Sequence, residues 1–352
     1  MTGRDRVLNA VKGHKTDRSV AAPYMGNYAI RQTGADLSRC QRDAASMASA
    51  QFDGWRLFGQ DIIVVQSDTY YMAEAFGAQV LYLPNAMPLM NTPLITDDKK
   101  ALMLEAQDPR SAGRMPSYIE AIRLVREMVG EDAAIRGCGT GPFVVAGHLC
   151  GIERLMMWLA ETDSGVEDHG EALRHMFSMA LETLVHFASA QLEAGATIVQ
   201  LADSLASINV ISPSMYRKYV LPYEKEFFAR IAPLCKRYDA ISLLHICGDN
   251  TAVFDDFAQC GADIVAIDHA ASLSNAARIV NNRCCLIGNI NPSGLLLSGH
   301  PYQVAHEAEV CLDMMQGYRY LLGTGCEVSI ETPKENMKAF IETAKTYQGR
   351  PI

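Results

Sequence analysis

Ala240-Ile-Ser-Leu-Leu-His-Ile-Cys-Gly248 is an apolar run that ends in an imidazole, a thiol and a glycine. A short and nearly continuous apolar run of this kind predicts a parallel strand that is buried on both faces. Because alternate side chains of a strand point to the same face, His245 and Cys247 converge, and Gly248 lets the chain turn sharply beside them. The segment therefore predicts a strand that carries functional side chains at its carboxyl end.

Seven further apolar runs predict strands of the same kind, and segments with helical periodicity lie between them. The other predicted strands are Val20–Met25, Asp61–Asp68, Ala134–Gly139, Ala196–Asp203, Ala262–Asp268, Cys284–Asn289 and Arg319–Thr324. The clearest predicted helices are Arg114–Val129, Val166–Ala194, Pro213–Lys236, Pro301–Gln316 and Pro333–Tyr347. Eight βα repeats in 352 residues predict an α/β fold, a TIM (β/α)8 barrel, as one domain over residues 1–352 with an N-terminal helical extension. A doubly wound sheet is the alternative.

Polar side chains close most of these strands, as a barrel requires if its functional groups gather at one mouth. They include Gln66, Ser67, Asp68, Gln200, Asp203, His245, Cys247, Asp268, His269, Asn289, Asn291 and, after the last strand, Cys326. Turn chemistry explains any single Asp or Asn at such a position. The whole set, with two thiols and two imidazoles, indicates a functional site. The irregular segment Val80–Asp108 is predicted to pass over this mouth.

The pair His245 and Cys247, together with Cys326, predicts a metal site. A set of two cysteines and one histidine favours zinc, and three protein ligands leave a fourth position for substrate. Asp203 or Glu327 could fill that position when substrate is absent. The alternative is that both cysteines are small buried apolar residues and that His245 is hydrogen-bonded in the core.

Composition limits the possible partners. Lys and Arg total 31 against 40 Asp and Glu, a net charge of -9, and no basic stripe is present that could neutralise phosphates. No apolar stretch reaches the ~18 residues that span a bilayer, and the N-terminus lacks a signal-peptide core. The ten scattered cysteines are typical of thiols in a reducing compartment. We therefore expect a cytoplasmic protein that binds neither nucleic acid nor membrane.

Several motifs, in one order and spacing, resemble those of the uroporphyrinogen decarboxylase superfamily over nearly the whole chain. They are Asp61–Asp68, Ser212-Pro213 through Val220-Leu221-Pro222-Tyr223, His245-Ile-Cys-Gly248, Gly261-Ala-Asp263, Gly288-Asn-Ile-Asn-Pro292, Gly325-Cys326 and Thr332-Pro-Lys-Glu-Asn336. The chain is more similar to the zinc-dependent, corrinoid-linked methyltransferase branch than to the decarboxylases. The decarboxylases carry a segment R-Q-A-G-R. In this chain Arg31-Gln-Thr-Gly34 is followed by Ala35, so the second arginine is missing. Thr324 also stands where the decarboxylases have a histidine near the end of the chain.

This resemblance implies methyl transfer between a small substrate and the cobalt of a corrinoid held by a separate protein, because the motif D-x-H-x-x-G of corrinoid domains is absent. Tyrosines after the first two strands suggest an aromatic pocket, which favours O-demethylation of a methoxylated aromatic, although core packing explains them equally well. Transfer from methylcobamide to a thiol such as coenzyme M is the alternative, and uroporphyrinogen decarboxylation the second. The expected substrate-binding residues are Asn27, Gln66, Tyr70, Tyr71 and His148, and the candidate catalytic residues are Asp203 and Asp68.

Overall fold

The computed structural model describes residues 1–84, 86–90 and 92–348. Its strands are β1 (Ala21–Ala22), β2 (Ile62–Val64), β3 (Val80–Leu81), β4 (Leu89–Met90), β5 (Ala134–Arg136), β6 (Ile198–Ala202), β7 (Ile241–His245), β8 (Ile264–Ala266), β9 (Cys285–Ile290) and β10 (Tyr320–Thr324). Its first helices are α1 (Gly3–Lys12), α2 (Gly26–Gln32), α3 (Leu37–Cys40), α4 (Ala44–Phe58), α5 (Tyr71–Ala75), α6 (Asp98–Leu102), α7 (Met115–Val129), α8 (Pro142–Cys150) and α9 (Ile152–Ser164). The later helices are α10 (Gly170–Glu193), α11 (Pro213–Tyr219), α12 (Leu221–Arg237), α13 (Phe254–Phe257), α14 (Leu273–Val280), α15 (Leu295–Ser298), α16 (Pro301–Met314) and α17 (Lys334–Thr346), and short 3-10 helices span Ser204–Ala206 and Thr251–Val253.

Eight parallel strands follow one another around a nearly closed barrel. Their order is β1, β10, β9, β8, β7, β6, β5, β2. Adjacent strands of the barrel are therefore consecutive in the chain once the hairpin strands β3 and β4 are left aside, and the first strand pairs with the last. At the junction of β1 and β2, Asp61 N–H donates to the Ala21 carbonyl at 2.8 Å, and Ala21 N–H donates to the Asp61 carboxylate at 2.8 Å. The predicted (β/α)8 barrel is confirmed, and the sequential order excludes the doubly wound alternative.

Helix α1 closes the amino-terminal end of the barrel. Its apolar residues Val7, Leu8 and Val11 belong to one buried cluster with interior strand residues that include Ile198, Leu243 and Leu321. A separate and larger cluster lies mostly between the strands and the surrounding helices. Because its lower end is filled by packed apolar side chains, the barrel is open to substrate only at the carboxyl ends of its strands.

The predicted helix over Pro213–Lys236 is wrong in its continuity, because the structure divides it into α11 and α12. Val220 has φ -118° and ψ -59° at the junction, and Pro222 lies in the first turn of α12. Proline lacks an N–H group, and its ring would clash with the carbonyl group four residues earlier in an unbroken helix. The predicted helix Val166–Ala194 also begins later, at Gly170.

The segment Val80–Asp108 contains the antiparallel hairpin of β3 and β4. Met87, Pro88 and Leu89 of this hairpin line the cavity at the carboxyl end of the barrel, so the predicted excursion over the mouth is confirmed. Asn85 and Asn91 lie outside the described residues. In the part of the chain that the structure describes, no single helix is long and apolar enough to cross a bilayer, and only the bent pair α8 and α9 reaches that length and composition together.

Candidate metal centre

Three side chains from distant parts of the sequence meet at the mouth of the barrel. Cys247 Sγ lies 3.2 Å from His245 Nε2 and 3.4 Å from Cys326 Sγ, and Cys326 Sγ lies 3.9 Å from His245 Nε2. His245 is buried, whereas both cysteines are partly exposed. The two donors of the strand-end motif and the thiol after the last strand therefore face one common point.

These separations match those of three ligands around one tetrahedral zinc ion. Metal bonds of about 2.3 Å to sulfur and about 2.0–2.1 Å to nitrogen place two ligand sulfurs roughly 3.8 Å apart, and a sulfur and a nitrogen roughly 3.6 Å apart. The two thiols share a hydrogen bond that lowers the pKa of Cys247 and raises the pKa of Cys326. The donor atoms thus fit a soft metal with a free fourth position.

Local structure holds the loop after β7 in place. Gly248 has φ +89°, and a Cβ atom there would lie 2.3 Å from Asn209 Oδ1, so a glycine is required at this turn. The side-chain amide of Asn250 donates to the carbonyl groups of Ile246, Cys247 and Gly248 at 3.0, 3.1 and 3.3 Å. These contacts fix the backbone that carries Cys247.

The loop after β10 is held by Thr324 and Tyr24. The Thr324 hydroxyl donates to the Cys326 carbonyl at 2.6 Å and accepts the Tyr24 N–H at 3.1 Å. The ring of Tyr24 meets the His245 ring edge to face, with centroids 5.8 Å apart. The side chains of His245, Cys247 and Cys326 are thus positioned by β1, β7 and β10 together.

A cavity of about 340 Å³ surrounds the donors on the open side. It is lined by Tyr24, Gln66, Ser67, Asp68, Thr69, Tyr70, Met87, Pro88, Leu89, Ala202, Ser204, His245, Cys247, Cys326 and Glu327. This volume suits a small molecule. Gln66, Asp68 and Tyr70 are predicted site residues that line the cavity. Ser204 was not anticipated as a cavity residue, and the hairpin was expected only to pass over the mouth.

Four predicted site residues do not line the cavity. Asn27 lies beside it, where its side-chain amide donates to Glu327 Oε1 at 3.0 Å and to the Ser67 carbonyl at 2.6 Å. Tyr71 is completely buried, because it begins α5 and turns its hydroxyl group to Thr140, 3.1 Å away. The His148 ring contacts the Tyr70 ring at a tilt of 51°, with ring centroids 4.6 Å apart, and burial lowers the pKa of His148 to about 4. Asp203, the fourth of these residues, lies against α8.

Asp68 forms a buried ion pair beneath the cavity. Its carboxylate accepts two hydrogen bonds from Arg114, at 2.7 and 3.0 Å, and one from Ser67 at 2.7 Å. Burial alone would raise the pKa of this carboxyl, but the hydrogen bonds and charge of Arg114 outweigh that effect and hold the pKa below its usual value. Arg114 also contacts Glu74 at 2.5 Å, so its charge is shared by two carboxylates.

Asp203 serves a visible structural purpose, because its carboxylate oxygens accept the N–H groups of Val144 and Phe143 at 2.7 and 3.2 Å, in the first turn of α8. Burial raises its pKa to about 7. When folding raises the pKa of an acid, the protein is less stable at higher pH. The loss occurs as pH rises from the pKa of that acid in the unfolded chain to its pKa in the folded protein.

We expect the substitution Asp203→Asn to cost about 1–3 kcal/mol of unfolding free energy near pH 5, because an amide has one acceptor oxygen and leaves one of the two buried N–H groups without a partner. The cost should shrink as pH rises from about 4 to about 7, because the neutral amide avoids burying a charge. Urea unfolding at three pH values measures this. Zinc content should stay unchanged, and a variant of native stability that has lost its metal or its catalytic rate would instead assign Asp203 to the chemistry.

A second group of potential ligands, Glu161, Glu167 and His169, lies outside the cavity. His169 is stacked on Trp158 and contacts the carboxylates of Asp98 at 2.8 Å and Glu161 at 3.2 Å. These carboxylates raise the pKa of the imidazole against the opposing effect of its burial. We therefore interpret Glu161, Glu167 and His169 as part of an ion-pair cluster around the imidazole, and not as a second metal site.

The chain is similar to known methyltransferases over nearly its whole length. The chain is 27% identical to the methylcobamide:CoM methyltransferase MtbA of Methanosarcina acetivorans, over 99% of this chain and 98% of that protein. It is also 27% identical to a methylated-thiol–coenzyme M methyltransferase of Methanosarcina mazei, over 98% of this chain and 89% of that protein. Among solved structures, a methyltransferase from Methanosarcina mazei superimposes with a TM-score of 0.88 at 25% identity, covering 99% of both chains.

These similarities confirm the predicted enzyme class, a corrinoid-linked methyltransferase. The sequence profile described as uroporphyrinogen decarboxylase (URO-D) matches residues 2–347, which is nearly the whole chain. The chain therefore belongs to the uroporphyrinogen decarboxylase family, and within it is similar to methyltransferases that act on methylcobamide.

Proposed function

We propose that this protein is a zinc-dependent methyltransferase that moves a methyl group from a corrinoid on a partner protein to a small thiol. The observation that carries the proposal is the convergence of His245, Cys247 and Cys326 on one point at the wall of the cavity. When bound by these residues, zinc lowers the pKa of a substrate thiol and holds it as a thiolate.

The chain's own residues bind and orient the thiol. The cavity places its sulfur beside Cys247 and Cys326, while Tyr24 and Thr324 fix the donors so that the site needs no rearrangement. The thiolate attacks the methyl carbon, a carbon–sulfur bond forms, and the cobalt–carbon bond breaks with its electron pair left on cobalt. The thiol proton leaves to solvent through the mouth.

A complete corrinoid is larger than a cavity of about 340 Å³, so it must present its methyl group from outside. The hairpin of β3 and β4 borders the route, because Met87 and Leu89 line the cavity and are themselves 42% and 50% exposed. The partner that carries the corrinoid therefore meets an apolar rim on this side of the mouth.

The methoxylated aromatic favoured by the sequence is the second candidate. Tyr24 and Tyr70 do line the cavity, as an aromatic pocket would require. The relatives named above nevertheless act on coenzyme M or methylated thiols, and so they favour the thiol alternative. Decarboxylation has less support, because Arg31 of the Arg31–Gly34 segment is half exposed, pairs with Glu331 at 3.8 Å and does not line the cavity.

The proposal predicts zinc-dependent methylation of a simple thiol. Zinc-loaded protein, methylcobalamin and 2-mercaptoethanol should yield the methyl thioether, measured by mass spectrometry alongside loss of the methyl–cobalt absorbance. Removing zinc with a chelator should lower the rate by about 100-fold or more, since a metal contributes several kcal/mol here, and restoring zinc should recover it. Demethylation of a methoxyarene by reduced cobalamin, without thiol methylation, would replace this function with the second candidate.

A further inference from the structure

The cavity around the metal donors has an unusual distribution of charge. Among the described residues that line it, two carry carboxyl groups, Asp68 and Glu327, and none is a lysine or an arginine. His245 is the only imidazole in that lining, and it is one of the metal donors. A bound anionic group would therefore find no cationic side chain on the cavity wall.

Two arginines lie behind the wall, and Nη2 of one of them, Arg136, has no hydrogen-bond partner among the described residues. Arg114 is buried and is shared between the carboxylates of Asp68 and Glu74, at 2.7 and 2.5 Å. Arg136 is also buried, with its guanidinium 4.3 Å from the centre of the Tyr24 ring and its Nε donating to Gln200 at 2.7 Å. Neither arginine is among the residues that line the cavity.

Glu327 is the acidic group best placed to meet a ligand. It follows Cys326 directly in sequence, and both residues line the cavity. Its Oε1 accepts both the backbone N–H and the side-chain amide of Asn27, at 2.7 and 3.0 Å, which orients the group. Its Oε2 makes no hydrogen bond to any described residue, and this oxygen is available to a ligand in the cavity.

We propose that the methyl acceptor is an aminothiol, a thiol whose other end carries a positive charge that pairs with Glu327. This inference rests on the proposed function and names its substrate class. A thiol with a sulfonate, such as coenzyme M, would bring a negative charge beside the Glu327 carboxyl and would find no cationic side chain on the cavity wall to pair with. An ammonium group gains a charge-assisted hydrogen bond instead.

Three thiols with one two-carbon skeleton test this assignment: 2-aminoethanethiol, 2-mercaptoethanol and 2-mercaptoethanesulfonate. Each is supplied with methylcobalamin to the zinc-loaded protein, and each rate is divided by the rate of the same thiol without protein. We expect kcat/KM for the aminothiol to exceed that for the sulfonate by about tenfold or more, with the hydroxyl compound between them. Calorimetric titration of each thiol into zinc-loaded protein, without corrinoid, should give the same order of affinity.

Two variants assign the preference to one residue. Glu327→Gln keeps the shape and the oxygen that binds Asn27, and it should reduce the preference for the aminothiol to less than about threefold. Glu331→Gln, at an exposed acid four residues later, should leave the order unchanged. If the wild-type protein prefers the sulfonate, the aminothiol assignment is overturned while thiol methylation stands. If the protein methylates none of the three thiols, both proposals fail.

Discussion

Replacing Cys326 with alanine should abolish stable zinc binding. The wild-type protein, purified without oxygen, is expected to hold about one zinc per chain, because its three donors fit one tetrahedral ion. Loss of groups that merely support a ligand already weakens metal affinity by about 10–100-fold. Loss of a ligand itself should therefore exceed 100-fold, and methyl transfer should fall with it. Zinc content by elemental analysis, and affinity by competition with a chelator, measure the change.

Cys311→Ala is the matched control. Cys311 is a buried cysteine on α16 that does not line the cavity. This variant should keep full zinc content while losing some stability from the small cavity that it creates. Equal zinc content in the wild-type protein and in both variants would remove Cys326 from the metal site.

Replacing Arg114 with methionine should lower the unfolding free energy by about 3–5 kcal/mol, because removing one partner leaves buried charges uncompensated. Both Asp68 and Glu74 depend on this arginine, and Asp68 is almost fully buried. The pKa of Asp68 should then rise. The stability that the ion pair supplies is present above the ordinary carboxyl pKa and is lost as pH falls through the lowered folded value. The difference between the variant and the wild-type protein should therefore shrink in acid.

Arg123→Met makes the same chemical change on α7 at the surface. Arg123 pairs there with Glu120 and Glu127, and all three side chains are exposed. Exposed pairs contribute less than about 1 kcal/mol. In urea unfolding, the loss of unfolding free energy in Arg114→Met should thus exceed that in Arg123→Met by at least about 2 kcal/mol. Equal losses would show that the buried pair of Asp68 and Arg114 stabilises the protein no more than an exposed pair does.

The sequence predicted the fold and the pair of His245 and Cys247 because both follow from local rules. Apolar runs that end in polar residues identify parallel barrel strands, and the two-residue period of a strand is enough to bring His245 and Cys247 to one face. Cys326 was predicted from its place after the last apolar strand, because all the strands of a barrel end at the same mouth, and the family resemblance supported it. The structure places it 3.4 Å from Cys247.

Side-chain directions at helix starts could not be predicted in this way. Tyr70 and Tyr71 are adjacent in sequence, yet Tyr70 lines the cavity whereas Tyr71 begins α5 and packs in the core. Asp203 ends its barrel strand as expected, but its carboxylate turns to the first turn of α8. Arg114 was not anticipated at all, because its pairing with Asp68 spans 46 residues and no local pattern encodes it.

X-ray absorption at the zinc edge tests the central claim most directly, because it counts the sulfur atoms bound to the metal. Zinc-loaded protein should show two sulfur neighbours at about 2.3 Å, and addition of 2-aminoethanethiol should raise that number to three. Such an increase means that the open position binds the methyl acceptor as a thiolate. A spectrum that the thiol leaves unchanged, or zinc without sulfur neighbours, would contradict the account.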